Sequence, residues 1–471
     1  MALGKKKAKQ TTLWIEPSHL RTHPAHPFYR RLNEILDQVH FDRYAERLCR
    51  KYYAATIGRP SIAPGVYFRC FFIGYLEGID SERGIAYRVA DSLSLRSFLG
   101  LDVGERTPDH STLSKTRRLM SLGTHKALFG WALRQLAKEG LLRGQQIGID
   151  ATTLEANAAL KSIVRRDSGA SYDEHVAQLM KVEGIEEPTA VERQRYDRKR
   201  KKKSLSNQEW VNPHDPEARI TQMKDGRTHL AYKAEQAVDL ETGAIVALTI
   251  GPGDQGDTES ARETLTEASQ VLAPLARQAA QNEAVGPAPG VAERCLESVV
   301  ADKGYHSREL LCDLVEAGVR TVISEPDRGR QHWREQAAEQ QAVYANRRRL
   351  RSENGKRLLR RRGEHLERAG AHLYDTGGMR RVHLRGQENI AKRALVHAAA
   401  FNLSLILRRI LGVGTARQAA DRLRLLFSWM LSLNLGPELA CWLWVAAFSS
   451  REAGHSQDWA DSQMAPLSTG C

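Results

Sequence analysis

The stretch "ESVVADKGYHS" (Glu297–Ser307) decides how this chain folds. Val299, Val300 and Ala301 form a short apolar run, and Asp302 ends it. Such a run suits a strand buried inside a sheet. A second run has the same form: in "GQQIGID" (Gly144–Asp150), Ile147 to Ile149 lead to Asp150. A carboxylate that ends a core strand emerges at a crevice, where open α/β sheets place their active sites. The bland alternative is that both are ordinary strand-end or turn aspartates.

Working outward, "HLAYKAEQAVDL" (His229–Leu240) and "AIVALTIGP" (Ala244–Pro252) read as two strands, with Glu241-Thr242-Gly243 as the hairpin turn. "DTESARETLTEASQVL" predicts a capped helix, with Asp257 read first as its cap. "SRELLCDLVEAG" predicts another helix, from Ser307 at the cap to Gly318 at the stop, and "RTVISEP" a fifth strand. Strand, hairpin pair, helix, strand, helix, strand is an α/β order with a mixed sheet and flanking helices.

Before this core the pattern is helical. In "FYRRLNEILDQV", Leu32, Ile35 and Leu36 share a face, and "YFRCFFIGYLEGI" predicts a more buried helix behind Pro60 and Pro64. In "DHSTLSKTRRLMSL", Asp109 or Ser111 can cap a helix carrying Lys115, Arg117 and Arg118. Such a helix suits phosphate contact or groove reading, or equally a solvated basic face. The expected division is a polar leader over 1–26, an all-helical N-terminal region over 27–140 and an α/β region over 141–410. A basic insert occupies about 155–228, and a helical tail covers 411–471. Leu425–Phe448 is apolar enough to mimic a membrane span, but Asn434, Gly436-Pro437 and Glu438 interrupt it, so two short helices are expected and no membrane partner.

The 471 residues carry 70 Lys and Arg against 56 Asp and Glu, a net charge of +14. That balance favours a polyanionic partner, chiefly nucleic acid. Six cysteines without a C-x-x-C pair exclude a disulfide scaffold and leave a zinc site unsupported. No apolar segment follows Lys5-Lys6-Lys7, so a secretory signal is not expected and the cytoplasm is. Neither G-x-G-x-x-G nor G-x-x-x-x-G-K occurs, which disfavours a nucleotide-binding α/β protein.

Two carboxylates on adjacent strands can bridge hard divalent cations, which prefer oxygen ligands. A third acid from a helix across the sheet would complete the set.

"GIDATTLEANAA" around Asp150 and "VVADKGYHS" around Asp302 resemble the first and second acidic motifs of bacterial insertion-sequence transposases of the DDE class. In "RLLRRRGEHLERAGAHLYDTGGMRR", three arginines (Arg360, Arg361 and Arg362) precede Glu364 and Glu367, as in that class's third motif. "ERAGAH" aligns Glu367 with the catalytic acid, and Glu364 is the runner-up. The usual upstream aromatic is replaced by Arg357 or Leu358, and Gly363 weakens the helix before the acid. "GRPSIAPGVYFRCFFIGYLEGIDSERGIAYRVADSLSLRSFLGLD" followed by "TPDHSTLSKTRR" is similar to the helical segment preceding the core in the eleven-eighty-two branch of the insertion-sequence four/five assemblage.

The resemblance, over about 30–410, implies an RNase H-like core and a DNA transposase. Such an enzyme binds terminal inverted repeats of double-stranded DNA as a homodimer or higher oligomer. Asp150, Asp302 and Glu367 would hold two Mg²⁺ (or Mn²⁺) ions for strand cleavage and strand transfer. The other readings are an RNase H-like nuclease without joining, or an inactive derivative that only binds DNA. DNA contacts are expected from Lys303 and Tyr305 beside Asp302, from Arg360 and Arg362, and from the basic runs Arg347-Arg348-Arg349 and Lys201-Lys202-Lys203. Tyr305 can instead simply pack, and the arginines can line a solvated face.

Overall fold

The computed structural model describes residues 26–432, apart from 55–57, 59–60, 201–204, 224–225, 283–294, 328, 330 and 334–335. Seven helices come first: α1 (Pro27–Gln38), α2 (Phe41–Cys49), α3 (Pro64–Glu77), α4 (Glu82–Ala90), α5 (Leu93–Leu99), α6 (His110–Leu119) and α7 (Leu122–Lys138). The stretch after Ser81 is broken into α4 and α5 because Ser92 starts a new helix, its hydroxyl accepting from Leu95 N. Asp109 caps α6 by accepting from Ser111 N. The apolar α3 is buried on nearly all sides. Its Arg69 is buried too, ion-paired with Asp42 at 3.2 Å and lying over the rings of Phe41 and Phe98.

Next comes β1 (Gln146–Glu155), then the insert: β2 (Val164–Arg165), α8 (Tyr172–Val182), α9 (Ala190–Lys199), β3 (Trp210–Val211) and β4 (Arg219–Gln222). The insert is more structured than its polar composition suggests. Ser171 and Thr189 each form a reciprocal cap with a glutamate three residues on, Glu174 and Glu192. The core resumes with β5 (Thr228–Asp239), β6 (Ile245–Pro252), α10 (Asp257–Asn282), β7 (Ser298–Ala301), α11 (Arg308–Glu316) and β8 (Arg320–Ile323). Four helices follow: α12 (Ala337–Arg351), α13 (Glu353–Gly370), α14 (Gln387–Leu411) and α15 (Ala416–Ser432).

The main sheet runs β4-β5-β1-β7-β8, with β6 also paired to β5. β5 is antiparallel to β1, β4 and β6, whereas β1, β7 and β8 are mutually parallel. The sheet is therefore mixed, with helices around it: the RNase H-like α/β architecture.

Three asparagines finish the sheet. Asn207 pairs through its side-chain amide with both Ile220 N (2.7 Å) and Ile220 O (3.0 Å) on β4. Asn402 of α14 does the same to Ile245 on β6, at 3.0 and 2.8 Å. Asn346 of α12 does it to Ile323 on β8, at 2.9 and 2.8 Å. Each satisfies a backbone donor and acceptor that an outer strand leaves without a ladder partner.

α14 packs against α3, α7 and β6, so one apolar core runs through the helical region and the sheet, from Phe28 to Ala419. The helical stretch Gln387–Arg422 is long and apolar enough to cross a membrane, but 72% of its most apolar window is buried, as in a core helix. Of the apolar stretch Leu425–Phe448, residues beyond Ser432 lie outside the described part, as does the leader before residue 26.

Candidate active site

Asp150 does not end its strand. β1 continues to Glu155, because β5 pairs with it as far as Glu155↔Ala231. What ends near Asp150 is the parallel neighbour: β1 and β7 pair through Gly148↔Val300, and Asp302 follows Ala301 at the end of β7. Two residues on from that pair, Asp150 and Asp302 stand level on adjacent strands. Gly148 shares the face of Asp150 by strand alternation. A Cβ there would stand 2.6 Å from Leu240 and 3.2 Å from Leu366, so glycine is what lets α13 lie against this face.

That helix brings a cation to the acids. The Arg362 guanidinium donates to Asp150 Oδ1 at 3.1 Å and to the Ile149 carbonyl at 3.2 and 3.3 Å, and lies 3.9 Å from Asp302 Oδ2. Sequence reasoning assigned Arg362 to a DNA phosphate. In the structure it is the countercharge of the two aspartates, which would otherwise repel each other. Asp302 also caps a short 3₁₀ turn, Lys303–Tyr305, with Oδ1 accepting from Gly304 N at 3.0 Å.

The third acid is less closely held. Glu364 is exposed and ion-paired with Arg368 one turn on, at 2.6 Å. Glu367, five residues past Arg362 on α13, is exposed. Among the described residues, no three His, Cys, Asp or Glu side chains are gathered as a ready metal site. The aspartate pair alone fits a divalent cation: two oxygen-donor groups already converge on a positive charge.

The basic candidates divide by helical phase. Lys115 and Arg118 are exposed on α6, whereas Arg117 is buried, ion-paired with Glu82 and donating to Asn389 Oδ1 at 3.3 Å. In the run Arg347-Arg348-Arg349 only Arg348 is exposed. Arg347 forks onto both oxygens of Glu325 at 2.6 Å. Arg349 donates to the carbonyl and hydroxyl of Thr321, at 2.7 and 2.8 Å. Arg117, Arg347 and Arg349 therefore hold the fold together rather than facing a DNA backbone. Arg360 and Lys303 are exposed. Tyr305 is buried, its hydroxyl donating to Glu235 Oε1 at 2.8 Å, so packing is what it does. Trp333 has the Arg308 guanidinium 4.5 Å from its ring centroid. Lys201, Lys202 and Lys203 lie outside the described residues.

On both faces of β5, beside the aspartates, lie buried polar side chains that sequence reading missed. Glu235 and Gln236 of β5 stand opposite Ala151 and Asp150 in register. Both are buried, as is Lys233, whose ammonium donates to Asp257 Oδ1 at 2.5 Å. Asp257 thus opens α10 as an ion-pair partner of Lys233. Gln236 Nε2 donates to the Leu366 carbonyl of α13 at 3.3 Å. The available signal was Lys, Glu and Gln interrupting the apolar run "AYKAEQAVDL". Burial pushes the Glu235 carboxyl above its ordinary range, against hydrogen bonds that favour its charge.

A mixed RNase H-like sheet with two level aspartates, faced by a helix of basic and acidic residues, defines a DDE-type nucleic-acid enzyme. The family models agree: "Transposase domain (DUF772)" matches residues 17–119, and "Transposase DDE domain" matches residues 149–403. The second match spans more than half of the chain, which belongs to the DDE transposase family. No curated protein matches it.

Proposed function

We propose that this transposase binds the inverted repeats at the ends of an insertion sequence of the eleven-eighty-two branch. It cuts the DNA there and joins the freed 3′ ends to a target, working as a homodimer or higher oligomer. The observation that carries this reading is the level pair Asp150 and Asp302, both against the helix that bears Glu364 and Glu367.

Asp150, Asp302 and Glu367 are the groups to hold two Mg²⁺ or Mn²⁺ ions, with Glu364 as the alternative third ligand. When bound, such ions supply Lewis acidity for the attacking hydroxyl and neutralise the leaving oxygen. The rest belongs to the chain. Asp150 and Asp302 must release Arg362, whose guanidinium is then free for a phosphate of the scissile strand. Lys303 and Arg360 lie exposed near the carboxylates' own segments and suit the flanking backbone. Lys115, Arg118 and Arg348 would add affinity without reading sequence. No covalent protein–DNA intermediate is needed, because water and then the 3′-hydroxyl serve as nucleophiles.

The test uses a labelled duplex carrying the inverted repeat that flanks the gene, with a target plasmid and Mg²⁺. Wild type is expected to release a 3′-hydroxyl end and join it to the plasmid, and Asp150→Ala to do neither. Equal cleavage by both proteins would remove the reading. Cleavage without joined product would reduce it to a nuclease.

A further inference from the structure

The buried polar side chains of β5 have no part in the chemistry described above. Glu235 is 1% exposed, and the hydroxyls of Thr264, Ser260 and Tyr305 support its carboxylate against burial. A buried carboxylate is costly to place, and one held by several hydroxyls calls for a reason. Its Oε1 accepts from two of them, Ser260 of α10 and Tyr305, each at 2.8 Å. Tyr305 closes the 3₁₀ turn that Asp302 opens. The turn is therefore pinned at both ends, by the Asp302 carboxylate on Gly304 N and by the Tyr305 hydroxyl on Glu235.

The middle of the turn is confined as well. A Cβ at Gly304 would stand 2.5 Å from Asp257 Oδ2 and 3.2 Å from Asp302 Oδ1, so the backbone passes tightly between two carboxylates. Asp257 is itself held by Lys233, two residues before Glu235 on the same face of β5. On the opposite face, Gln236 holds the α13 backbone at Leu366.

We propose that Glu235 is a positioning residue for Asp302. Through the Tyr305 hydroxyl it fixes the turn, and so the direction in which the Asp302 carboxylate meets a metal ion. This rests on the metal-dependent reading above. Neither Glu235 nor Tyr305 touches substrate or ion. Without the anchor the Asp302 carboxylate loses its fixed direction, so metal affinity falls while the fold survives.

The test compares wild type with Tyr305→Phe, Glu235→Ala and Glu235→Gln, each confirmed folded by circular dichroism and thermal melting. Mn²⁺ binding to the full chain is measured without DNA, by the electron paramagnetic resonance signal of the free ion. Tyr305→Phe and Glu235→Ala are expected to weaken Mn²⁺ binding about tenfold, as loss of a supporting contact around a metal ligand does. Glu235→Gln keeps an acceptor for Tyr305 and should recover most of what alanine loses. In the cleavage assay the first two variants should need correspondingly more Mn²⁺ for half-maximal rate, with unchanged DNA affinity in Ca²⁺. A merely structural role would lower the melting temperature without moving the Mn²⁺ requirement. Tyr305→Phe binding Mn²⁺ as wild type does would overturn the proposal. If wild type fails to cleave yet Mn²⁺ binding weakens in the variants, the transposition reading fails and the positioning role stands. If wild type cleaves and Mn²⁺ binding is unmoved, the reverse holds.

Discussion

Replacing Arg362 by alanine removes a cation that the structure places against both Asp150 and Asp302. Its side chain is only 15% exposed, but Asp150 and Asp302 are 39% and 47% exposed, so water already screens the pair. A hydrogen bond to a charged group contributes about 1.5–3 kcal/mol when dry, and exposure of Asp150 argues for the low end. The longer contact to Asp302 resembles a surface pair, adding about 0.5 kcal/mol. The total is about 2 kcal/mol, a fall in melting temperature of about 2 °C for a chain of this size. That fall is expected in EDTA. Saturating Mn²⁺ should return most of it, because the bound cations then neutralise the same carboxylates. Differential scanning calorimetry with and without Mn²⁺ measures both. An unchanged melting temperature in EDTA, or an equal deficit in Mn²⁺, would refute the idea that Arg362 serves as countercharge to the pair.

Three further outcomes follow from the geometry. Asn346→Ala strips two hydrogen bonds from Ile323 and leaves a buried strand N–H and C=O unpaired, so urea unfolding should show a loss of about 3 kcal/mol. Arg348→Ala should reduce the salt dependence of DNA binding by about one counterion without moving the melting temperature, while Arg347→Ala and Arg349→Ala should do the opposite. Burial drives the His125 imidazole down to about 4 from 6.5. It stays neutral in the fold while the unfolded chain takes up a proton, so stability should fall as pH drops through that window. The loss is about 3 kcal/mol, and His125→Gln should remove it from a pH series of urea melts.

The two aspartates were legible because each follows a short apolar run, a pattern tied to local burial. Their relative height was not. It depends on the β1–β7 register and on how far β5 prolongs β1, both set by residues more than 70 positions apart. The charge runs misled for a related reason. Adjacent arginines differ by about 100° of helical phase, and which one meets Glu82, Glu325 or Thr321 depends on packing partners distant in sequence. The insert's caps were written in Ser171 and Thr189, each three residues before a glutamate, but were hidden in a strongly polar stretch. Glu235 and Gln236 fell inside a run whose strand character was plain, and alternation alone does not tell a buried polar layer from a solvated face.

The three asparagines at Ile220, Ile245 and Ile323 have a consequence for assembly. A carboxamide is a peptide unit in miniature, so each outer strand already carries a counterfeit neighbour one residue long. At those points a second copy has no backbone valence left to occupy. In the oligomer proposed above, subunits would then hold each other by side chains, helices or the shared duplex, and such a complex could be taken apart without unzipping a sheet.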